Sequence, residues 1–132
     1  ERRGRLYFGD SLSGVISVYD WDRASGSIAN RRVFAGPSEH GIPDGSAIDA
    51  EGYLWNARWG GSCLIRYNPD GGIDRIVPMP VDKPTSCVFG GPELRTLYVT
   101  TARIGLPAGG LDGALLAAVA PVAGQACTRF AG

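Results

Sequence analysis

The sequence predicts an all-β chain built from a repeated unit of four short strands. Three observations carry this expectation. Twenty Gly and nine Pro are spread through 132 residues, so the chain turns too often for long helices. Its apolar stretches are short and rich in β-branched and aromatic residues, as in Val15-Ile16-Ser17-Val18-Tyr19 and Leu64-Ile65-Arg66-Tyr67. A Leu-aromatic pair also recurs at Leu6-Tyr7, Leu54-Trp55 and Leu97-Tyr98, at intervals of roughly 40–50 residues.

The other strands fall around each of these pairs. A second apolar stretch follows as GVISVYD, SCLIRYN and GALLAAV, and a third as SIANRRVFA and GIDRIVPMP, with CTRFAG as a weaker copy. Ahead of the Leu-aromatic strand lie DGSAIDA and TSCVFGG, opened by Pro43 and Pro84. Turn chemistry joins them: Ala50-Glu51-Gly52, Ala24-Ser25-Gly26 and Asn68-Pro69-Asp70-Gly71. Residues 113–119 contain good helix formers, but their place in the repeat assigns them to a strand.

Four strands repeating at this interval are the pattern of a β-propeller blade. The expected count is three strands, then four, then four, in a partial blade at residues 1–36 and blades at 37–81 and 82–132. Propellers close a ring of ~4–8 blades, so the expectation is the C-terminal part of a longer propeller domain. Ile48, Leu54, Val88 and Leu97 are the expected inter-blade core, and both ends of the arc should leave apolar residues uncovered.

Composition excludes several classes of partner. Hydrophobic residues are 44% and charged residues 20%, as in globular domains. Thirteen basic residues balance thirteen acidic ones, so no net field draws nucleic acid or an anionic membrane. No apolar run approaches the ~20 residues of a membrane-spanning helix. Cys63, Cys87 and Cys127 are an odd number without CxxC spacing, which argues against a disulfide framework or zinc site. Three buried thiols in a reducing, cytoplasmic compartment are expected instead.

Asp44 is the leading candidate site residue. Pro-Asp-Gly is a turn tripeptide, and the same tripeptide at Asp70 sits in an outer hairpin. Asp44 instead opens the innermost strand of its blade, where residues line the channel. With Pro43 and Pro84 aligned, Thr85 occupies its place in the next blade, so the blade does not itself demand a carboxylate. That contrast favours a metal ligand at Asp44 over a turn residue.

The remaining candidates each keep two readings. Asp10-Ser11 either orients a ligand at the channel mouth or caps a turn. Asp49 and Glu51 lack the EF-hand spacing and fit a hairpin turn, and Asp20 and Asp22 fit a solvated hairpin end. His40, the single histidine, has no GxSxG elbow to serve and fits a loop. Trp55, Trp59 and Tyr98 suit inter-blade packing. Arg58 and Arg103 either meet a polar substrate at the channel end or are structural.

The strings IPDGSAIDAEGYLWNARWGG, LIRYNPDG and KPTSCVFGGPELRTLYVTTAR, in this order, resemble the gluconolactonase and senescence-marker-protein-30 (regucalcin) family. YFGDSLSGVISVYDWDRASGSIANRRVF is similar to the preceding blade, so the resemblance covers nearly the whole chain. It implies a six-bladed propeller with one divalent metal ion (Ca, Zn, Mg or Mn) in the axial channel, hydrolysing a small-molecule lactone such as a sugar lactone. It further implies that the metal is held by a first-blade Glu, Asn residues and the Asp of the PDG motif. Only the last falls here, at Asp44, which the resemblance makes both metal ligand and proton-transfer group. A 132-residue piece lacking the other ligands is expected to be inactive alone. The rival expectation is a non-catalytic propeller segment serving as a binding or scaffold module.

Overall fold

The computed structural model describes residues 3–127. Its ten strands are β1 (Arg3–Asp10), β2 (Val15–Asp22), β3 (Ile28–Ala35), β4 (Ile42–Ile48), β5 (Leu54–Trp59), β6 (Cys63–Tyr67), β7 (Ile73–Pro78), β8 (Pro84–Gly90), β9 (Thr96–Thr101) and β10 (Leu115–Val119). They form three antiparallel sheets in sequence order: β1-β2-β3, β4-β5-β6-β7 and β8-β9-β10. These are referred to below as blades one, two and three. All three Leu-aromatic segments are strands, and residues 115–119 extend as a strand despite their helix-forming side chains. The expected eleventh strand falls on CTRFAG, most of which lies outside the described residues.

Turn chemistry fixes the hairpins. The Asn68 Oδ1 accepts the N–H groups of Asp70 and Gly72, while Gly71 takes φ 90°, a left-handed conformation that costs glycine nothing. The Asp22 Oδ1 accepts the N–H groups of Ala24 and Ser25 in the same manner.

Two apolar layers lie between the blades. Ile16, Val18 and Phe34 of blade one meet Leu54, Cys63, Ile65 and Tyr67 of blade two. Phe34 stands edge-on to Tyr7 and Tyr67, with ring centroids 4.8 and 5.9 Å apart. Trp55, Ala57 and Leu64 on the opposite face of blade two meet Cys87, Phe89, Leu97 and Val99 of blade three. Blade two is therefore covered on both faces, which is why β5 and β6 are buried almost throughout. Residues 120–125 run back from β10 to the end of β4, where Gln125 N–H donates to the Ile48 carbonyl at 3.0 Å.

The outer faces of the arc are open. Phe8 and Val33 on blade one and Val88, Leu115 and Val119 on blade three are exposed. Val88 corrects the expected core: Cys87 and Phe89 point into the layer with blade two, and period-2 alternation turns Val88 away from it. Its counterpart Ala47 packs against blade three, so Val88 occupies the face that a following blade would cover. Leu54 and Leu97 are buried and Ile48 is half-buried, as the repeat predicts.

Candidate functional site

Asp44 sits where the inner strand of blade two is irregular. Pro43 pairs with Arg58 and Ser46 with Asn56, so β4 carries one residue more than β5 across this step. Such a bulge bends the strand and re-aims its side chains. The following Gly45 lies so close to β8 that a Cβ placed there would stand 2.8 Å from the Ser86 Cα. Asp44 is half-buried, and its carboxylate accepts the N–H of Gly45. Burial pushes its pKa above the ordinary carboxylate value, an effect that the Gly45 hydrogen bond only partly offsets. Among the described residues no side chain is seen to donate to it.

The backbone around Asp44 is held by side chains. Asn56 Nδ2 donates to the Asp44 carbonyl at 2.7 Å and to Ser46 Oγ at 2.9 Å. Arg58 Nη1 donates to Asn56 Oδ1 at 3.1 Å, Nε to the His40 carbonyl at 3.2 Å and Nη2 to the Gly41 carbonyl at 2.6 Å. From blade one, Ser11 Oγ donates to the Pro43 carbonyl at 2.8 Å. The carbonyls of residues 40, 41, 43 and 44 thus each receive a side-chain donor. Asn56 and Arg58 are both 0% exposed, and desolvation lowers the Arg58 pKa.

Other predicted positions take structural roles. Asp10 caps its turn, accepting Ser13 Oγ at 2.8 Å and the Leu12 N–H at 3.0 Å. Its pKa is lowered, first by the Ser13 side chain and then by the Ser13 backbone. Asp49 is fully buried; it accepts Trp55 Nε1 and Arg66 Nε, each at 2.9 Å, and the N–H groups of Glu51 and Tyr53. Arg66 also pairs with Glu51 at 2.6 Å and Asp74 at 2.9 Å, and its guanidinium lies 3.8 Å from the Tyr53 ring centroid. The acidic loop is therefore a hairpin turn, as its spacing predicts, and Arg66 takes up its charge. Asp20 pairs with Arg32 at 2.6 Å rather than lying free in solvent.

His40 is a loop residue whose carbonyl serves Arg58. Arg58 itself is structural, not solvent-facing, while Arg103 is exposed. Trp55 packs edge-on against Phe89 across the blades at 6.0 Å, Trp59 has Lys83 Nζ 5.4 Å from its ring centroid, and Tyr98 lies over Gly90 of its own sheet. Cys63 and Cys87 are buried, and burial holds the Cys87 thiol at about 12. Cys127 is exposed, which corrects the expectation of three buried thiols: it lies two residues beyond Gln125, whose N–H ties the returning chain to Ile48.

The model of the SMP-30/Gluconolactonase/LRE-like region matches residues 2–103. The chain belongs to this family. It is 47% identical over 108 residues to regucalcin of Bos taurus, covering 80% of this chain and 36% of that protein. It is 40% identical over 101 residues to a pentonolactonase of Haloferax volcanii, covering 76% of this chain and 35% of that protein. A solved regucalcin of Agrobacterium tumefaciens, described as a calcium-binding protein, superposes with TM-score 0.84 and 30% identity over 92% of this chain and 43% of its own. The chain thus spans about a third of the length of the curated relatives it matches. Its three blades are about half of a six-bladed propeller.

Asp44 offers a hard oxygen donor beside a pinned backbone, a donor type that suits a divalent cation such as calcium. Among the described residues no three His, Cys, Asp or Glu side chains come together as a metal cluster. Asp44 fits as one ligand, and the described residues provide no set around it. The sequence reading passed over Asn56. Its signal is that β5 is an inner strand with both faces covered, so two polar residues on one face, at 56 and 58, are out of keeping with a strand buried on both sides.

Proposed function

We propose that this chain is the Asp44-bearing part of a metal-dependent lactone hydrolase, a cytoplasmic protein acting on sugar lactones. The observation that carries the reading is a half-buried carboxylate at the bulged entry of an inner strand, with burial raising its pKa and, among the described residues, no side chain seen to donate to it. Names of family relatives, a pentonolactonase and a calcium-binding regucalcin, support both substrate and metal.

Asp44 would supply one oxygen ligand to a divalent cation, whose charge would be available to polarise a lactone carbonyl. The Asp44 carboxylate takes a proton from the attacking water and returns it to the ring oxygen as the acyl–oxygen bond breaks. Water and lactone are consumed and one hydroxy acid is formed. The pinned carbonyls of residues 40, 41, 43 and 44 keep that carboxylate in place through the cycle.

The test is Asp44→Asn in the full-length protein that carries these blades, with Asp70→Asn as the control in the outer hairpin. Lactone hydrolysis followed by pH-stat is expected to fall by about 10²–10⁴-fold for the first, the usual worth of general acid–base catalysis. The control should leave the rate unchanged. Equally small effects at both positions would make Asp44 a turn residue and remove the reading.

A further inference from the structure

Blade three is an internal control for the surroundings of Asp44. Its inner strand β8 has the same bulge, since Pro84 pairs with Thr101 and Ser86 with Thr100. Yet the three polar positions of blade two are all different there. Thr85 replaces Asp44, Val99 replaces Asn56 and Thr101 replaces Arg58. Val99 is buried in the apolar layer, and Thr101 Oγ1 donates to the Ala114 carbonyl rather than to the loop before its bulge. That loop is held by other partners: Ala102 N–H donates to the Lys83 carbonyl at 2.9 Å, and the Asp82 N–H donates to Asp112 Oδ1 at 2.9 Å.

The bulge therefore forms without a buried amide and without a buried guanidinium. Placing both in an inter-blade layer forgoes apolar burial and desolvates a charge that has no carboxylate within 4 Å among the described residues. The fold of blade three gives no reason for this arrangement, and the pair occurs in the blade that carries Asp44.

We infer that Asn56, locked by Arg58, is a positioning residue that sets the Asp44 carboxylate for its cation. This rests on the metal-ligand reading above. The path is short: Arg58 fixes Asn56 Oδ1, which aims Nδ2 at the Asp44 carbonyl, and the same guanidinium holds the two loop carbonyls before β4. The rotation of the 44–45 peptide is thereby set, and with it the direction of the Asp44 side chain. Ser46 Oγ, the other partner of Nδ2, keeps the amide from turning over.

The test is a double-mutant cycle in the full-length protein, with Ca2+ and Zn2+ each titrated calorimetrically. Asn56→Ser should weaken the cation by about 10–100-fold, the usual effect of losing a group that orients a ligand. In the Asp44→Asn background the same change should have no further effect. Asn56→Val/Arg58→Thr, which installs the pair that blade three tolerates, keeps the test open if the serine variant misfolds, and should act in the same way. In the metal-free protein, hydrogen exchange should rise over residues 42–46 and stay unchanged in β6. An Asn56→Ser effect of equal size in both backgrounds, or none while Asp44→Asn weakens the cation, overturns the positioning role. No effect from Asp44→Asn itself removes the metal-ligand reading on which that role depends.

Discussion

Blades two and three are built on one plan and stabilised by different means. Both carry a proline at the first or second residue of the inner strand, bulge just after it and send a Leu-aromatic strand alongside. Blade two then ties its ends with charge: Asp49 and Arg66 at one end, Asn56 and Arg58 at the other. Blade three has Gly90 and Val99 where blade two has Asp49 and Asn56, and relies on apolar packing, backbone hydrogen bonds and the exposed or half-buried side chains of Thr85, Thr101 and Asp112. The lesson is that the bulge belongs to the architecture, whereas the buried polar groups belong to one blade.

The comparison breaks most visibly at Asp49. Removing one member of a buried ion pair strands the other, which typically costs about 3–5 kcal/mol. Asp49→Ala should lower stability by about that amount in urea unfolding, because Arg66 would keep only Glu51 and Asp74, which are far more exposed. A loss below about 1 kcal/mol would show that Tyr53 and the two outer acids suffice.

The reverse transplant gives a smaller effect. Val99→Asn places an amide in blade three without an arginine to hold it. An unsatisfied buried polar group costs about 1–3 kcal/mol, so unfolding should shift by that much. The substitution should add no cation affinity, since Thr85 offers no carboxylate. A neutral outcome would mean that Val99 has a hydrogen-bonding partner within reach, and the contrast between the blades would lose its physical basis.

The smallest expected effect is at the exposed turn of blade one. Asp10 has a lowered folded pKa, so its contribution to stability is present above the ordinary carboxylate value and fades as pH falls through the lowered one. Ser13→Ala removes the leading cause, and the Asp10 carboxyl resonance should then titrate closer to its ordinary value in a carbon-detected NMR titration. No movement would transfer the effect to the Leu12 and Ser13 N–H groups.

Strand order and hairpins were legible because turn chemistry is local: Asn68, Asp22 and their glycines act within four residues of chain. Val88 went astray because alternation marks two faces without naming the covered one, and the strongly β-forming residue falls on the open side. Asp44 stood out through comparison with Asp70 and Thr85, yet Asn56 and Arg58 did not. Their partners are carbonyls reached across a sheet, 12 to 18 residues away, and carbonyls have no signature in a sequence. Arg66 was hidden for a similar reason, since two of its acids lie on the β4–β5 turn and the third on β7, and their convergence shows only once the sheet is formed.

The contact between Gly45 and Ser86 sets an angle. Three sheets fan outward from the axis, and their angular step is fixed by how closely the inner edges meet. At Gly45 only a hydrogen stands between one inner strand and the next, where a methyl group would fall 2.8 Å from the Ser86 Cα. A methyl there is a shim at the narrow end of a wedge, and its displacement grows outward through strands spaced about 4.8 Å apart. Trp55 and Phe89 determine how thick the layer is. The bare backbone at position 45 determines how far the fan opens.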